Sequence, residues 1–485
     1  IKFVIGALVA INLAAGAAHA RGADTTATYQ VQVRDAATNR IAVRATVPSN
    51  GAELRMATSR PGNVPELAAA GWPALVQHLR VTDAAGAVVD VTGDGAGGWT
   101  LARSIDGPLT LEYEVDFAPL AARGWPAPRE AAFADAGHMI VIGRSLFITT
   151  PAQRTSEVRF ALPRGWQAVV PWPALRGARH AATVASTDDL CENLVAFVHG
   201  KPDVLTAGGF NLKVVALGHW EPARDDVRRV LGVSAHRLVD FIGFTGRGDY
   251  LVVLLPHAER GGESFRASFA MSLDVAPSQA NLGDWGNTAA HEVFHYWNAW
   301  RLHGADYPSS QWFQEGFTEY AANLALVSGE LTTPAEFYAT LAVHATRYRK
   351  LTTPLDAPGT HKGPPLYSGG ALVAFVWDTE IRDATDGKHG VGDVLRLLLH
   401  STDDGARPYA WADIRAVLES LAPGDWEGFH SRYIHGTEPL PLDDAFARVG
   451  LRMMQGDDGV IRVEEDPEAS ESAHAYRRAM LDGRH

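Results

Sequence analysis

The stretch Ala289-Ala290-His291-Glu292-Val293-Phe294-His295-Tyr296-Trp297-Asn298-Ala299-Trp300 decides how this chain is read. Apolar residues recur along it at helical spacing, and two histidines stand four apart. A helix stacks such a pair on one face, about 5.4 Å apart along its axis, so that both imidazoles reach one ion. Glu292 sits beside the first of them. From there a carboxylate approaches a metal-held water without itself binding the metal, and serves as a general base in hydrolysis.

A catalytic zinc takes three protein ligands and keeps a fourth position for water. The run Gln311–Ala322, QWFQEGFTEYAA, supplies the missing ligand as Glu315, twenty residues beyond His295. That distance lets the first helix finish, a turn form through Gly304, Asp306 and Pro308, and an antiparallel helix return. Glu319, one helical turn after Glu315, shares its face and is placed to accept the free N–H of His291 or His295. HExxH also arises by chance on amphipathic helices, where histidines merely cap a core surface. The metal reading rests on the motif, the returning carboxylate and the further acid occurring together, and it calls for one Zn²⁺ per chain. His257, His303, His361 and His389 share no ligand spacing.

Around this centre the chain changes character. From Ala27 to Leu217, short alternating runs are punctuated by Gly, Pro and Asp, which predicts strands. Leu109, Leu111, Tyr113, Val115 and Phe117 alternate with polar residues as one buried face of such a strand. After the apolar run Tyr250–Leu255 helices dominate, over Asp284–Trp300, Gln311–Ser328, Pro334–Arg349, Gly369–Arg382, Val391–His400, Trp411–Leu421 and Trp426–Ile434. The fold class expected is a multidomain α+β protein with an amino-terminal all-β domain at 21–210. A catalytic domain follows at 211–400, then a helical region at 401–455 and a loosely held polar tail at 456–485.

With 485 residues, 46% hydrophobic and 20% charged, the chain is long enough for more than one packed core. Its formal charge of -13, without a Lys/Arg run, argues against nucleic acid as a partner. The single cysteine, Cys191, excludes an internal disulfide and a thiolate zinc cluster. Lys2, an apolar run to Ala18 and the triplet Ala18-His19-Ala20 predict a cleaved export signal at 1–20. The expected location is therefore periplasmic or secreted, with no stable membrane insertion after cleavage. Oligomeric state is open.

HEVFHYWNAWRL followed by WFQEGFTEY resembles the glycyl aminopeptidase family of gluzincin metallopeptidases, relatives of the aminopeptidase N and leukotriene hydrolase group. The resemblance implies a β domain ahead of a thermolysin-like catalytic domain, and peptides or proteins as substrates. By position, His291, His295 and Glu315 match the zinc ligands and Glu292 the general base. Ile434–Met453 is similar to the family's segment at the end of the catalytic domain. The family commonly adds a PDZ domain, which the 34 residues after Leu451 leave no expectation of.

Two further roles follow from the resemblance alone. In YSGGALVAFVWDTEIR, Tyr367 matches a tyrosine that stabilises the oxyanion, although Gly369 stands where relatives carry lysine. In RGGESFRASFAMSL, Gly261, Gly262 and Glu263 are similar to a shortened Gly-Gly-x-Glu stretch whose glutamate binds the substrate's free α-amine. Alternating Phe269, Met271 and Leu273 suit a strand able to align a peptide. Removal of amino-terminal residues, glycine or other small ones, is the activity implied. An endopeptidase follows if Glu263 points away from the cleft, and a non-catalytic peptide-binding protein if zinc is only structural.

Overall fold

The computed structural model describes residues 25–34, 38–56, 71–126, 132–357, 363–456 and 459–483. The expected export signal and His361 lie outside them. Among the described residues no helix is long and apolar enough to cross a membrane.

The amino-terminal half is built from two sheets. One has eight strands, with the long strands Arg40–Arg55 and Gly98–Asp116 paired antiparallel at its centre. The other has four, with His138–Ile142 and Leu194–His199 in the middle. Leu109, Leu111, Tyr113, Val115 and Phe117 are all buried, as their alternation predicts. Two short helices, α1 (Ala118–Ala121) and α2 (Thr187–Cys191), interrupt this region.

A third sheet joins the two halves. Its five strands run in the order Asp203–Ala207, Phe210–Ala216, Gly248–Pro256, Ser268–Leu273 and Gly261–Phe265, the last forming an edge. Helix α3 (Arg224–Ile242) connects the parallel strands Phe210–Ala216 and Gly248–Pro256. Leu251, Val253 and Leu255 pack into the β half, while Tyr250, Val252 and Leu254 pack under the helices. Burial on both faces is why Tyr250–Leu255 reads as a continuous apolar run. Because this sheet begins at Asp203, its first hairpin runs across the boundary expected at 210/211.

The helical half contains α4 (Leu282–Phe294), α5 (Tyr307–Ser328), α6 (Pro334–Tyr348) and α7 (Pro364–Ala384). On α4, Leu282, Trp285, Ala289 and Val293 bury one face at helical spacing. The helix is shorter than the expected Asp284–Trp300: His295 is its C-cap, and the chain turns so that Trp300 N–H donates to His295 O at 3.1 Å. Helix α5 starts four residues before the expected Gln311, helped by Pro308 in its first turn.

The loose tail expected at 456–485 is instead ordered over its described residues. Leu451–Gln455 pairs with Ile461–Glu465 as a hairpin, and a helix spans Glu471–Leu481. Polar composition hid two anchors there: Met480 is fully buried, and the buried Arg477 guanidinium donates to Gly450 O and to Glu465 Oε2.

Candidate metal centre

Helices α4 and α5 lie antiparallel, which sets His295 opposite Glu315 and His291 opposite Glu319. Glu315 Oε2 lies 3.3 Å from His291 Nε2 and 3.4 Å from His295 Nε2. One ligand atom from each residue falls within 4.8 Å of the other two. Ligands at ~2.0–2.2 Å around a tetrahedral zinc stand ~3.3–3.6 Å apart, and both Glu315–histidine separations match that spacing. No other such group of His, Cys, Asp or Glu occurs among the described residues.

The outward nitrogens are also held. His291 Nδ1 lies 3.2 Å from Glu319 Oε2, and His295 Nδ1 lies 3.0 Å from Asn298 O, leaving both Nε2 atoms for the ion. Asn298 Nδ2 donates to the carbonyls of Phe313 and Gln314, tying the turn after α4 to the turn of α5 that carries Glu315. Glu319 Oε1 accepts from Asn323 at 3.1 Å and lies 3.6 Å from His344 Nε2. His344 Nδ1 in turn lies 3.0 Å from Ser368 Oγ on α7. Asn298 and His344 escaped the sequence reading: both bind through groups whose direction only the packed helices define.

Charges converge on the site. Burial works against a charged His291, yet its bonds to Glu315 and Glu319 and the charge of Glu292 outweigh it, and the ring is pushed up to about 10. Glu315 is buried too, but the two imidazoles hold it well below the usual carboxylate range. Glu292 goes the other way: burial raises it to about 7, despite the opposing pull of His295 and His291. A carboxylate poised near neutrality can both take and return a proton.

Glu292 lies against the edge strand. A Cβ built on Gly262 would meet Glu292 Oε1 at 2.4 Å and Cγ at 2.6 Å, so glycine is needed for the carboxylate to sit there. Gly261 lines the same cleft at the start of the strand. Glu263 faces the cleft as well, its Oε1 accepting from Arg144 Nη2 at 2.9 Å, while Arg144 Nη1 donates to Glu192 Oε2 at 3.2 Å. Arg144 and Glu192 come from the β half, far from the motif in sequence, and no spacing signal announces them.

Tyr367 stacks on the His291 ring, with centroids 5.9 Å apart and planes at 26°. Burial, together with the nearby Glu315 and Glu292 charges, keeps the phenol protonated. These groups surround a cleft of about 810 Å³, with Trp300 and the half-exposed Tyr307 along its wall.

Residues 28–193 match the family model of the peptidase M61 N-terminal domain, and residues 285–356 match that of M61 glycyl aminopeptidase. Over these two stretches the chain is similar to the M61 glycyl aminopeptidases. All three metal ligands, Glu292 and Glu319 lie inside the second M61 match, whereas Glu263 and Tyr367 lie outside it.

Solved structures share this chain's fold. An aminopeptidase N family protein from Idiomarina loihiensis superposes with a TM-score of 0.72 at 18% identity, over 92% of this chain and 82% of its own. An M1 zinc metallopeptidase from Deinococcus radiodurans gives 0.54 at 17% identity, over 87% and 95%. A single-substitution mutant of that metallopeptidase gives 0.55, also at 17% identity, over 87% and 96%. No curated protein matches the chain. The M61 matches support zinc peptidase activity, and the solved structures show the two-part fold.

Proposed function

We propose that this chain is a zinc-dependent aminopeptidase that removes glycine or other small residues from the amino termini of peptides. The carrying observation is the single cleft that holds the three-ligand set, Glu292 beside it, and Glu263 on the adjoining strand. His291, His295 and Glu315 would hold zinc, which when bound polarises the scissile carbonyl and makes water a better nucleophile at neutral pH.

The remaining chemistry belongs to side chains of the chain. Glu292 takes a proton from the attacking water as its oxygen bonds to the carbonyl carbon. The same carboxyl then returns that proton to the leaving nitrogen as the C–N bond breaks. Tyr367, kept protonated, donates to the carbonyl oxygen as it gains charge. Glu263 carries the negative charge that suits a free α-ammonium, and Arg144 holds that carboxylate in place.

The test is hydrolysis of a peptide panel, free and N-acetylated, with and without chelator. Loss of free-peptide cleavage with chelator, recovery with zinc and inert acetylated peptides are expected. Internal cleavage of the acetylated peptides would make the chain an endopeptidase. Peptide binding without cleavage at full zinc loading would make it a non-catalytic binding protein.

Export to the periplasm or beyond is part of the same proposal, resting on the apolar run that ends in Ala18-His19-Ala20. Amino-terminal sequencing of the expressed protein tests it: a mature chain starting near Arg21 supports export, and an uncleaved cytoplasmic chain refutes it.

A further inference from the structure

A second cavity of about 530 Å³ adjoins the catalytic cleft. The two share Arg260, Gly261, Asn287, Thr288 and Glu319, but the second is not lined by Glu263, Arg144 or Glu292. Along the edge strand Gly261–Phe265, Gly262 abuts Glu292, with Glu263 to one side and Gly261 to the other. The second cavity therefore opens on the side of Glu292 away from Glu263. Given the aminopeptidase reading, on which this inference rests, a peptide whose amine meets Glu263 passes Glu292 at its first bond. The rest of the chain must leave past Gly261, into this chamber.

The chamber walls indicate what they receive. Helix α6 contributes Val343, 45% exposed, and one turn later Arg347. Among the described residues no carboxylate pairs with Arg347, whereas Arg260 on the opposite wall is held by Asp274 and Asp284. Helix α4 contributes Asn287, whose Nδ2 is buried with no hydrogen-bond partner. Arg347 and Asn287 Nδ2 are thus donors that no acceptor in the chamber engages, and Arg347 carries a full positive charge. Peptide carbonyls and a carboxylate are the complementary acceptors.

We propose that this chamber holds the carboxyl side of the substrate and that Arg347 binds a carboxylate there, so that the preferred substrates are short peptides ending in a free or side-chain carboxylate. Arg347 touches no reacting atom; it determines specificity by distance from the scissile bond.

The experiment compares kcat/KM for peptides of two to six residues as free acids, as carboxamides, and as carboxamides with one glutamate near the end. An aminoacyl anilide, which has no chain beyond the scissile bond, serves as reference. In the wild-type zinc enzyme the free acid should exceed the carboxamide about tenfold at the length that reaches Arg347. Arg347→Gln should abolish that preference and leave anilide hydrolysis unchanged, and Arg347→Lys should keep part of it. A carboxamide rescued by glutamate identifies a side-chain carboxylate as the ligand; one not rescued identifies the chain terminus. Equal rates for acid and amide at every length, or a preference that survives Arg347→Gln, would overturn the proposal. Calorimetric binding of acid and amide peptides to Glu292→Gln protein makes the same comparison without turnover. Failure of the aminopeptidase reading would therefore show separately, as an inert anilide.

Discussion

Gly316 on α5 and Gly370 on α7 are pressed backbone to backbone: a Cβ on Gly316 would lie 2.2 Å from the Gly370 carbonyl carbon, and one on Gly370 1.9 Å from Trp312 O. Glu315, next to Gly316, and Tyr367, about one turn before Gly370, both line the cleft. Beside Gly370, a Cβ on Gly369 would meet Leu355 Cδ2 at 2.6 Å. Helices this close have no room for a side chain between them.

Gly316→Ala and Gly370→Ala should each destabilise the protein by about 1–3 kcal/mol or more, because backbone cannot rotate away as a side-chain tip can. Denaturant midpoints check this. Surviving folded protein should also show reduced kcat, since separating α5 from α7 moves Glu315 away from Tyr367. An unchanged midpoint for both variants would contradict the close crossing.

The Gly262 contact separates the base from the metal. Glu292→Gln should keep zinc at wild-type stoichiometry and lower kcat by about 10²–10⁴-fold, the range for loss of a positioned base. Gly262→Ala, which displaces the same carboxylate without changing its chemistry, should lower kcat in the same direction and also keep zinc. Normal turnover by Glu292→Gln would remove Glu292 from the mechanism.

Glu319 acts on the ion through His291. Glu319→Gln leaves a hydrogen-bond acceptor but removes the charge, and zinc affinity measured by chelator competition should fall about 10–100-fold. Far-ultraviolet circular dichroism should be unaltered. Equal affinity in variant and wild type would show that Glu319 does not orient the ligand.

Proton linkage follows from the metal-free electrostatics. His291 is pushed up to about 10, so at about pH 8 it carries a proton that it must lose to ligate a cation, while Glu315 is already ionised. Zinc uptake should then release about one proton per site, and affinity should rise with pH until His291 titrates. Calorimetry in buffers of different ionisation enthalpy reads this directly; no dependence on buffer would refute a protonated His291.

The metal centre was legible because a helix converts spacing into direction. His291, Glu292 and His295 needed only the period of α4, and Glu315 and Glu319 needed only that a second helix return. Strand alternation likewise exposed the buried face of Leu109–Phe117. The carboxyl-terminal tail was misread because its composition is polar, while a few well-placed contacts at Met480 and Arg477 hold it.

What the sequence by itself determined is therefore local: which residues share a helix face, and which strands have an apolar side. The tertiary structure decided which distant groups surround them. Arg144 reaches Glu263 across 119 positions, His344 links Glu319 to Ser368 through a third helix, and Arg347 lines a chamber that α4 and α6 enclose together. Periodicity is written in neighbouring residues, but the meeting of remote side chains depends on how sheets and helices pack, and packing is a property of the whole core.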